Sequence, residues 1–175
     1  MAHTAGTPLA SVPRHRGAAG GRDADGGRVV LDEVSKQIIE QLQQDGRRSY
    51  AAIGKAVGLS EAAVRQRVQR LIEVGAMQIV AVTDPMMLGF PRQTMIGIRC
   101  GGELERVAEH LASMTEIDYV VITAGSFDLL IEVVCENDDQ LLEILSRIRS
   151  IPSVTTTETF VYLKLCKQTY SWGTR

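Results

Sequence analysis

The chain has 175 residues, 45% of them hydrophobic and 23% charged, with a net charge of -2. That is enough for one or two small domains with buried cores. No apolar run is long enough to span a bilayer and the first thirty residues lack a hydrophobic signal core, so a membrane-spanning or exported chain is not expected and a cytoplasmic one is. The overall charge argues against nucleic acid only until it is divided. Residues 1–30 carry +2, residues 31–83 carry +1 and residues 84–175 carry -5. The positive charge is at the front, and it is modest, so a single copy is expected to hold DNA weakly and affinity to need several copies.

Residues 1–30 are rich in glycine, alanine and arginine and read as a disordered, solubilising tail, although Arg14, Arg16, Arg22 and Arg28 could touch phosphates. Val34, Ile38, Ile39 and Leu42 then mark a helical stripe over Asp32 to Gln44. The break Asp45-Gly46-Arg47-Arg48 follows. Ser49 is a plausible N-cap for a short helix burying Ile53, Ala56 and Val57, and Gly58 ends it. Ala51, Ala52 and Ala56 are small enough for a close helix crossing. Ser60 caps a third helix that Gly75 terminates, with Val64, Val68, Leu71 and Ile72 as its apolar stripe. A short helix, a tight glycine turn and a capped third helix make a helix-turn-helix in residues 31–83.

The third helix shows arginine and glutamine on its other faces. Arginine forks onto guanine edges or phosphates and glutamine pairs with adenine edges. Arg65, Gln66 and Gln69 are the candidates for base edges. Arg67 and Arg70 would contact phosphate or brace the fold through salt bridges. Ser60, with Glu61 and Ala62, forms the helix start, where phosphates are favoured. Arg47, Arg48, Ser49 and Lys55 add polar and positive groups beside the same edge. A solvated amphipathic helix that merely packs is the plain alternative for the third helix taken alone.

Met77 to Val82 is an extended apolar segment, residues 84–93, with Pro85, Gly89 and Pro91, read as a linker, and the front domain is expected to be of the winged helix-turn-helix type. The composition then turns β-branched and acidic. Ile96, Ile98 and Cys100 alternate in a strand over 94–100. Leu104, Val107, Ala108, Leu111 and Met114 form a helical stripe. Tyr119 to Thr123 is a strand, Gly125-Ser126 a turn, and Phe127, Leu129, Ile131 and Val133 alternate in the hairpin partner, with Asp128 on the opposite face. Leu141, Leu142, Leu145 and Ile148 mark a helix over 138–150 that Pro152 ends, and Thr155 to Cys166 is the last strand, with Val161, Leu163 and Leu165 alternating. The order β-α-β-β-α-β over 94–175 is the ferredoxin-like unit, so the fold class is α+β. With helices on one face of its sheet, the other apolar face needs a partner, and a second copy is the economical one.

Both halves together resemble the leucine-responsive/asparagine-regulator (Lrp/AsnC) family of transcription factors over residues 31–175. The resemblance is carried by Asp32…Ile38-Ile39…Leu42…Asp45-Gly46-Arg47, by Ile53-Gly54…Val57-Gly58-Leu59-Ser60 and by Val64…Arg67-Val68…Arg70-Leu71…Gly75. It continues through Asp84-Pro85…Leu88-Gly89 and the run Thr123 to Leu130. It implies a small-molecule-sensing second domain, homodimers that assemble further, commonly to octamers, and amino-acid effectors bound in clefts between dimers. The matching effector positions are Thr123, Ala124, Gly125, Ser126, Asp128, Val161 and Tyr162. On their own chemistry, Gly125 suits a positive φ or a close approach of backbone to ligand, and Asp128 could accept from a ligand amino group or simply stabilise the turn. The family's turn often carries an acidic or tyrosine residue where Ser126 and Phe127 stand, which leaves the effector unidentified.

The expected function is a DNA-binding transcriptional regulator whose assembly or DNA affinity responds to a small molecule. Two recognition helices of a dimer would lie about 34 Å apart. An effector-independent DNA-architectural protein is the alternative. An enzyme is not expected: the sequence shows no phosphate-cradling glycine loop and no nucleophile-base pair. No cofactor or metal is expected either, because Cys100, Cys135 and Cys166 are scattered and read as reduced core thiols, and His3, His15 and His110 form no ligand pattern.

Overall fold

The structure, a computed structural model of one chain, describes residues 31–171 together with Gly173 and Thr174; the expected tail over 1–30 lies outside the described residues. The chain divides into two compact units, one ending at Val80 and joined by Thr169–Arg175, the other spanning Ala81–Gln168.

The first unit has three helices, α1 (Glu33–Gln44), α2 (Tyr50–Val57) and α3 (Glu61–Glu73). Each starts on a side-chain cap. Asp32 accepts from the Ser35 N–H, Ser49 from the Ala52 N–H and Ser60 from the Ala63 N–H. α3 ends in a Schellman arrangement: Gly75, at φ 72°, donates to the Ile72 carbonyl and Ala76 to the Leu71 carbonyl. Ile38, Leu42, Ile53, Val64 and Val68 form one core, with Val34, Tyr50, Val57, Leu59 and Met77 packed against it. Ile72, expected in the stripe, is 39% exposed at its margin.

The close approach between α2 and α3 is made by Gly54, not by the alanines. Ala51 and Ala56 are exposed, whereas Gly54 is buried, and a Cβ on Gly54 would stand 2.5 Å from the Leu59 carbonyl oxygen. The Leu59 N–H donates to the Gly54 carbonyl at 2.9 Å, which draws the turn onto the helix. A second brace joins α1 to α3. The Arg67 guanidinium donates to Asp32 at 2.7 Å and to the Ser35 hydroxyl at 3.2 Å. The Ser35 hydrogen bond first, and then Arg67, hold the Asp32 carboxyl down to about 2, from an ordinary 3.8.

The second unit has the order β1 (Arg92–Cys100), α4 (Leu104–Ala112), β2 (Ile117–Ile122), β3 (Leu129–Cys135), α5 (Asp138–Arg149), β4 (Val154–Val161), preceded by a 3-10 turn at Pro85–Leu88 within the expected linker. The sheet is antiparallel in the order β2-β3-β1-β4. This is the βαββαβ plan, with α4 and α5 packed on one face. Ile96, Ile98, Leu129, Ile131 and Val133 meet Val107, Leu111, Ile144 and Ile148 in a dry core. The apolar face of α5 differs from the expected one: Ile144 is buried and Leu142 is 61% exposed. Leu141, Ile144 and Ile148 follow the i, i+3, i+7 spacing, and Leu142 falls a turn-fraction aside.

Two expected strands have other bounds, and one extended segment forms no strand. β2 begins two residues early, at Ile117. Met77–Val82 pairs with no strand among the described residues, and Ile79, Val80 and Val82 are exposed. β4 stops at Val161 rather than Cys166. Its partner β1 supplies Thr94 opposite Val161 and one further acceptor, the Gln93 carbonyl, for the Tyr162 N–H. Beyond it stands Pro91, which interrupts the ladder, so Leu163 and Leu165 are exposed and Cys166 is an exposed thiol, not a core one. Cys135 is buried and Cys100 is half-buried. At the chain end the Gly173 N–H donates to Gln43 and the Thr174 hydroxyl to Glu40, both on α1.

Gly54→Ala is expected to destabilise the three-helix unit by about 1–3 kcal/mol, as overpacking does, seen as a lower urea midpoint by far-UV circular dichroism. Asp32→Asn tests the brace by its pH signature. The folded carboxyl titrates below its unfolded value, so its contribution is complete above about pH 4 and is lost as pH falls towards about 2. The wild-type thermal midpoint should therefore exceed that of Asp32→Asn at pH 7, and the difference should shrink across that window. Both partners are over a third exposed, so screening keeps the difference small.

Candidate nucleic-acid interface and effector site

α3 separates its residues cleanly. Val64, Val68 and Leu71 are buried, while Glu61, Ala62, Arg65, Gln66, Gln69, Arg70 and Glu73 are exposed. At about 100° per residue, Ala62, Gln66, Gln69 and Glu73 lie opposite the core, with Arg65 on one flank and Arg70 on the other. A helix-turn-helix offers such a face to the major groove. Arg67 sits nearer the core and is committed to Asp32 and Ser35, so it braces the fold. Gln69 donates to Glu73 at 3.1 Å. Arg65 donates to Glu61 at 2.9 Å.

The start of α3 suits a phosphate. The Ser60 hydroxyl accepts from the Ala63 N–H at 3.2 Å, and the N–H groups of Glu61 and Ala62, at the first two helical positions, have no partner within the helix. The start of α2 lies alongside. Tyr50, its first residue, has its ring centroid 5.2 Å from the Arg65 guanidinium carbon. Arg47, Arg48 and Ser49 immediately precede it, and the Arg47 N–H is held by the Asp45 carboxylate at 2.9 Å. Tyr50 was not legible as part of this edge. An aromatic directly after an N-cap serine was its only signal.

The expected effector residues fall into two groups. Thr123, Ala124, Gly125, Ser126 and Asp128 form the β2–β3 turn. There the Thr123 hydroxyl donates to the Phe127 carbonyl and the Thr123 N–H to the Asp128 carbonyl at 2.9 Å. The Asp128 N–H donates to the Ile98 carbonyl, and its carboxylate accepts from the Cys100 N–H at 2.8 Å. β3 pairs with β1 only as far as Ile98 opposite Leu129, so the carboxylate satisfies the N–H that the strand leaves behind. In the single chain the Asp128 carboxylate is therefore used on a backbone N–H, at the end of β1 rather than within the turn.

One expectation at this turn is corrected, and one of two alternatives at Gly125 is removed. Phe127 does not share a face with Leu129. Leu129 points into the helix-side core, whereas the Phe127 ring covers Gly97 and meets Phe160 edge-on at 6.1 Å, with Arg99 against it. The ladder of β3 starts at Leu129, so alternation does not extend back through the turn. Gly125 has no positive φ, and a Cβ on it would meet nothing within 4 Å; the chain's own packing does not require glycine there.

Val161 and Tyr162 lie at the other end of β1, where the Tyr162 N–H bonds Gln93. Cys100 and Gln93 are seven residues apart, about 23 Å at the rise of a strand. One protomer does not bring the two groups together. Burial and then the neighbouring Glu132 push the Tyr162 hydroxyl up, and Glu132 itself is held by the Gln93 amide at 2.6 Å. A groove of about 830 Å³ lies between α4 and α5, lined by Arg106, His110, Met114, Arg147 and Pro152 among others, and includes none of the expected effector residues. Among the described residues no helix is long and apolar enough to cross a membrane.

Two family models match. An AsnC-type helix-turn-helix domain covers residues 31–72, and a C-terminal dimeric alpha+beta barrel domain covers residues 95–175. The HTH-type transcriptional regulator FL11 of Pyrococcus horikoshii is 36% identical over 81% of this chain and 95% of its own length. The structure of Escherichia coli AsnC superposes with a TM-score of 0.70 at 25% identity, covering 81% of this chain and 98% of that one. A Neisseria meningitidis transcriptional regulator, NMB0573, solved as a complex with L-Met, shares the fold with a TM-score of 0.70 at 21% identity, over 81% of this chain and 96% of that one. The chain belongs to the Lrp/AsnC family of helix-turn-helix transcriptional regulators, with a DNA-binding front domain and a C-terminal domain of a dimeric class, and it is a regulator rather than an enzyme.

Proposed function

We propose that this chain is a sequence-specific regulator that works as a homodimer, assembling further towards an octamer, and whose assembly or DNA affinity responds to an amino acid. The observation that carries this reading is the separation of the Asp128 turn from Tyr162 by the length of β1. If both groups serve one effector, they must come from different copies, and occupancy is then linked to assembly. The uncovered sheet face supports the dimer, since Phe160 and Tyr119 are 42% and 51% exposed on it. The open space at Gly125 supports close approach of a ligand or a neighbouring chain. The complex of the Neisseria relative with L-Met makes amino acids the first effectors to test. DNA binding, rather than the absence of a membrane helix, supports action in the cytoplasm. On α3, Arg65, Gln66 and Gln69 are the proposed base-reading residues, Arg70 and the Ser60–Ala62 helix start the phosphate contacts, and Arg47, Arg48 and Ser49 a flanking contact.

Sedimentation velocity with each amino acid, with and without bound DNA, should reveal one or a few that shift the oligomer distribution. Gly125→Ala should fold as wild type and lose that response. A flat response to all of them, with long and weakly specific footprints, would instead support effector-independent DNA architecture. Arg65→Ala should weaken specific binding by roughly 1–3 kcal/mol in a gel-shift titration.

A further inference from the structure

Arg65 is engaged before any DNA arrives. Its Nη2 donates to Glu61 Oε1 at 2.9 Å, one turn back on α3, and its guanidinium stands over the Tyr50 ring of α2 at 5.2 Å. Two helices thus hold one side chain at the edge of the exposed face. Arg65 and Glu61 are 65% and 54% exposed, so opening their ion pair costs little. Its effect on DNA is larger. Residues 31–83 carry a net charge of only +1, and Glu61 places a carboxylate in the first turn of the helix that faces the phosphates. Against a duplex in general, that carboxylate opposes binding by like charge and occupies the arginine that would otherwise neutralise a phosphate. A guanine edge is different. It offers Arg65 two acceptors in the fork geometry, O6 and N7, and a guanidinium with five N–H donors can fork onto them while one N–H stays on Glu61, so the pair is kept there and is given up only on a phosphate.

We infer that Glu61 is a specificity-determining residue. With Tyr50 it holds Arg65 ready for a guanine edge, and it penalises every duplex that does not present one. This rests on the reading of α3 as the base-reading helix. Tyr50 narrows the rotamers of Arg65 and so lowers the ordering cost of the specific contact. Glu61 also complements the dipole of α3, but that use concerns stability and does not alter the ratio of affinities between two duplexes.

The test uses the full-length protein and two probes of equal length: a duplex recovered from a randomised library by selection with wild type, and the unselected random duplex. Both are titrated by gel shift at several salt concentrations. Glu61→Gln should tighten binding to the random duplex and lower the specificity ratio by roughly tenfold. The salt slope on the random duplex should steepen by about one phosphate contact, because Arg65 is released. Tyr50→Leu should weaken binding to the recovered duplex and leave the random one unchanged. In an Arg65→Ala background, Glu61→Gln should no longer change the ratio. If Glu61→Gln leaves the ratio unchanged while Arg65→Ala weakens the recovered duplex, the inference is overturned and the base-reading helix stands. If Arg65→Ala changes neither duplex, or selection enriches no sequence, the base-reading role of Arg65 itself fails and the inference with it.

Discussion

Two helices cover only one face of a four-stranded antiparallel sheet. α4 and α5 take the face that carries Ile96, Ile98, Leu129, Ile131 and Val133, and they leave the face that carries Phe160, Tyr119 and the Phe127 ring over Gly97. Apolar surface of that kind is stable in water only when something covers it. The proposed dimer covers it with a second copy.

The front unit is built for economy. Its core is five buried side chains with a fringe of half-buried ones, and two local devices carry much of its shape. Gly54 lets the α2–α3 turn approach to carbonyl distance, and Arg67 clips the N-cap of α1 to α3. Spending Arg67 on the fold leaves the exposed face with few cations. Arg65 and Arg70 flank a central row of glutamines, and Glu61 offsets part of their charge. A face of that composition carries little charge for phosphates, and the proposed reading therefore gives base edges and repetition the larger share.

The helices of the first unit, their caps and the order of the second unit were legible because they depend on neighbours in the chain. Ser49, Ser60 and Gly75 each act within a few residues, and the period of the apolar residues changes from helical to alternating at the domain boundary. The errors share a cause as well. Phe127 alternates with Leu129 in the sequence, but the ladder begins at Leu129 and a turn residue owes nothing to strand parity. Leu163 and Leu165 alternate as strand residues do, yet past Gln93 the β4 side of β1 meets Pro91, which has no N–H to pair with them. Leu142 fits a helical stripe on paper, but the face of α5 is chosen by what Ile144 and Ile148 meet in the core.

The candidate site divides along the same line. By itself the sequence determined that α3 is capped, amphipathic and rich in arginine and glutamine, that an α+β unit follows, and that both halves match one family. These are properties of local spacing and composition. Only the tertiary structure decided that Arg67 serves the fold while Arg65 stands over Tyr50, that Asp128 serves a strand end, and that Tyr162 is a strand-length away from the turn it was grouped with. Which groups meet is set by register and helix crossing, and these depend on partners that lie 15 to 70 residues away in the chain.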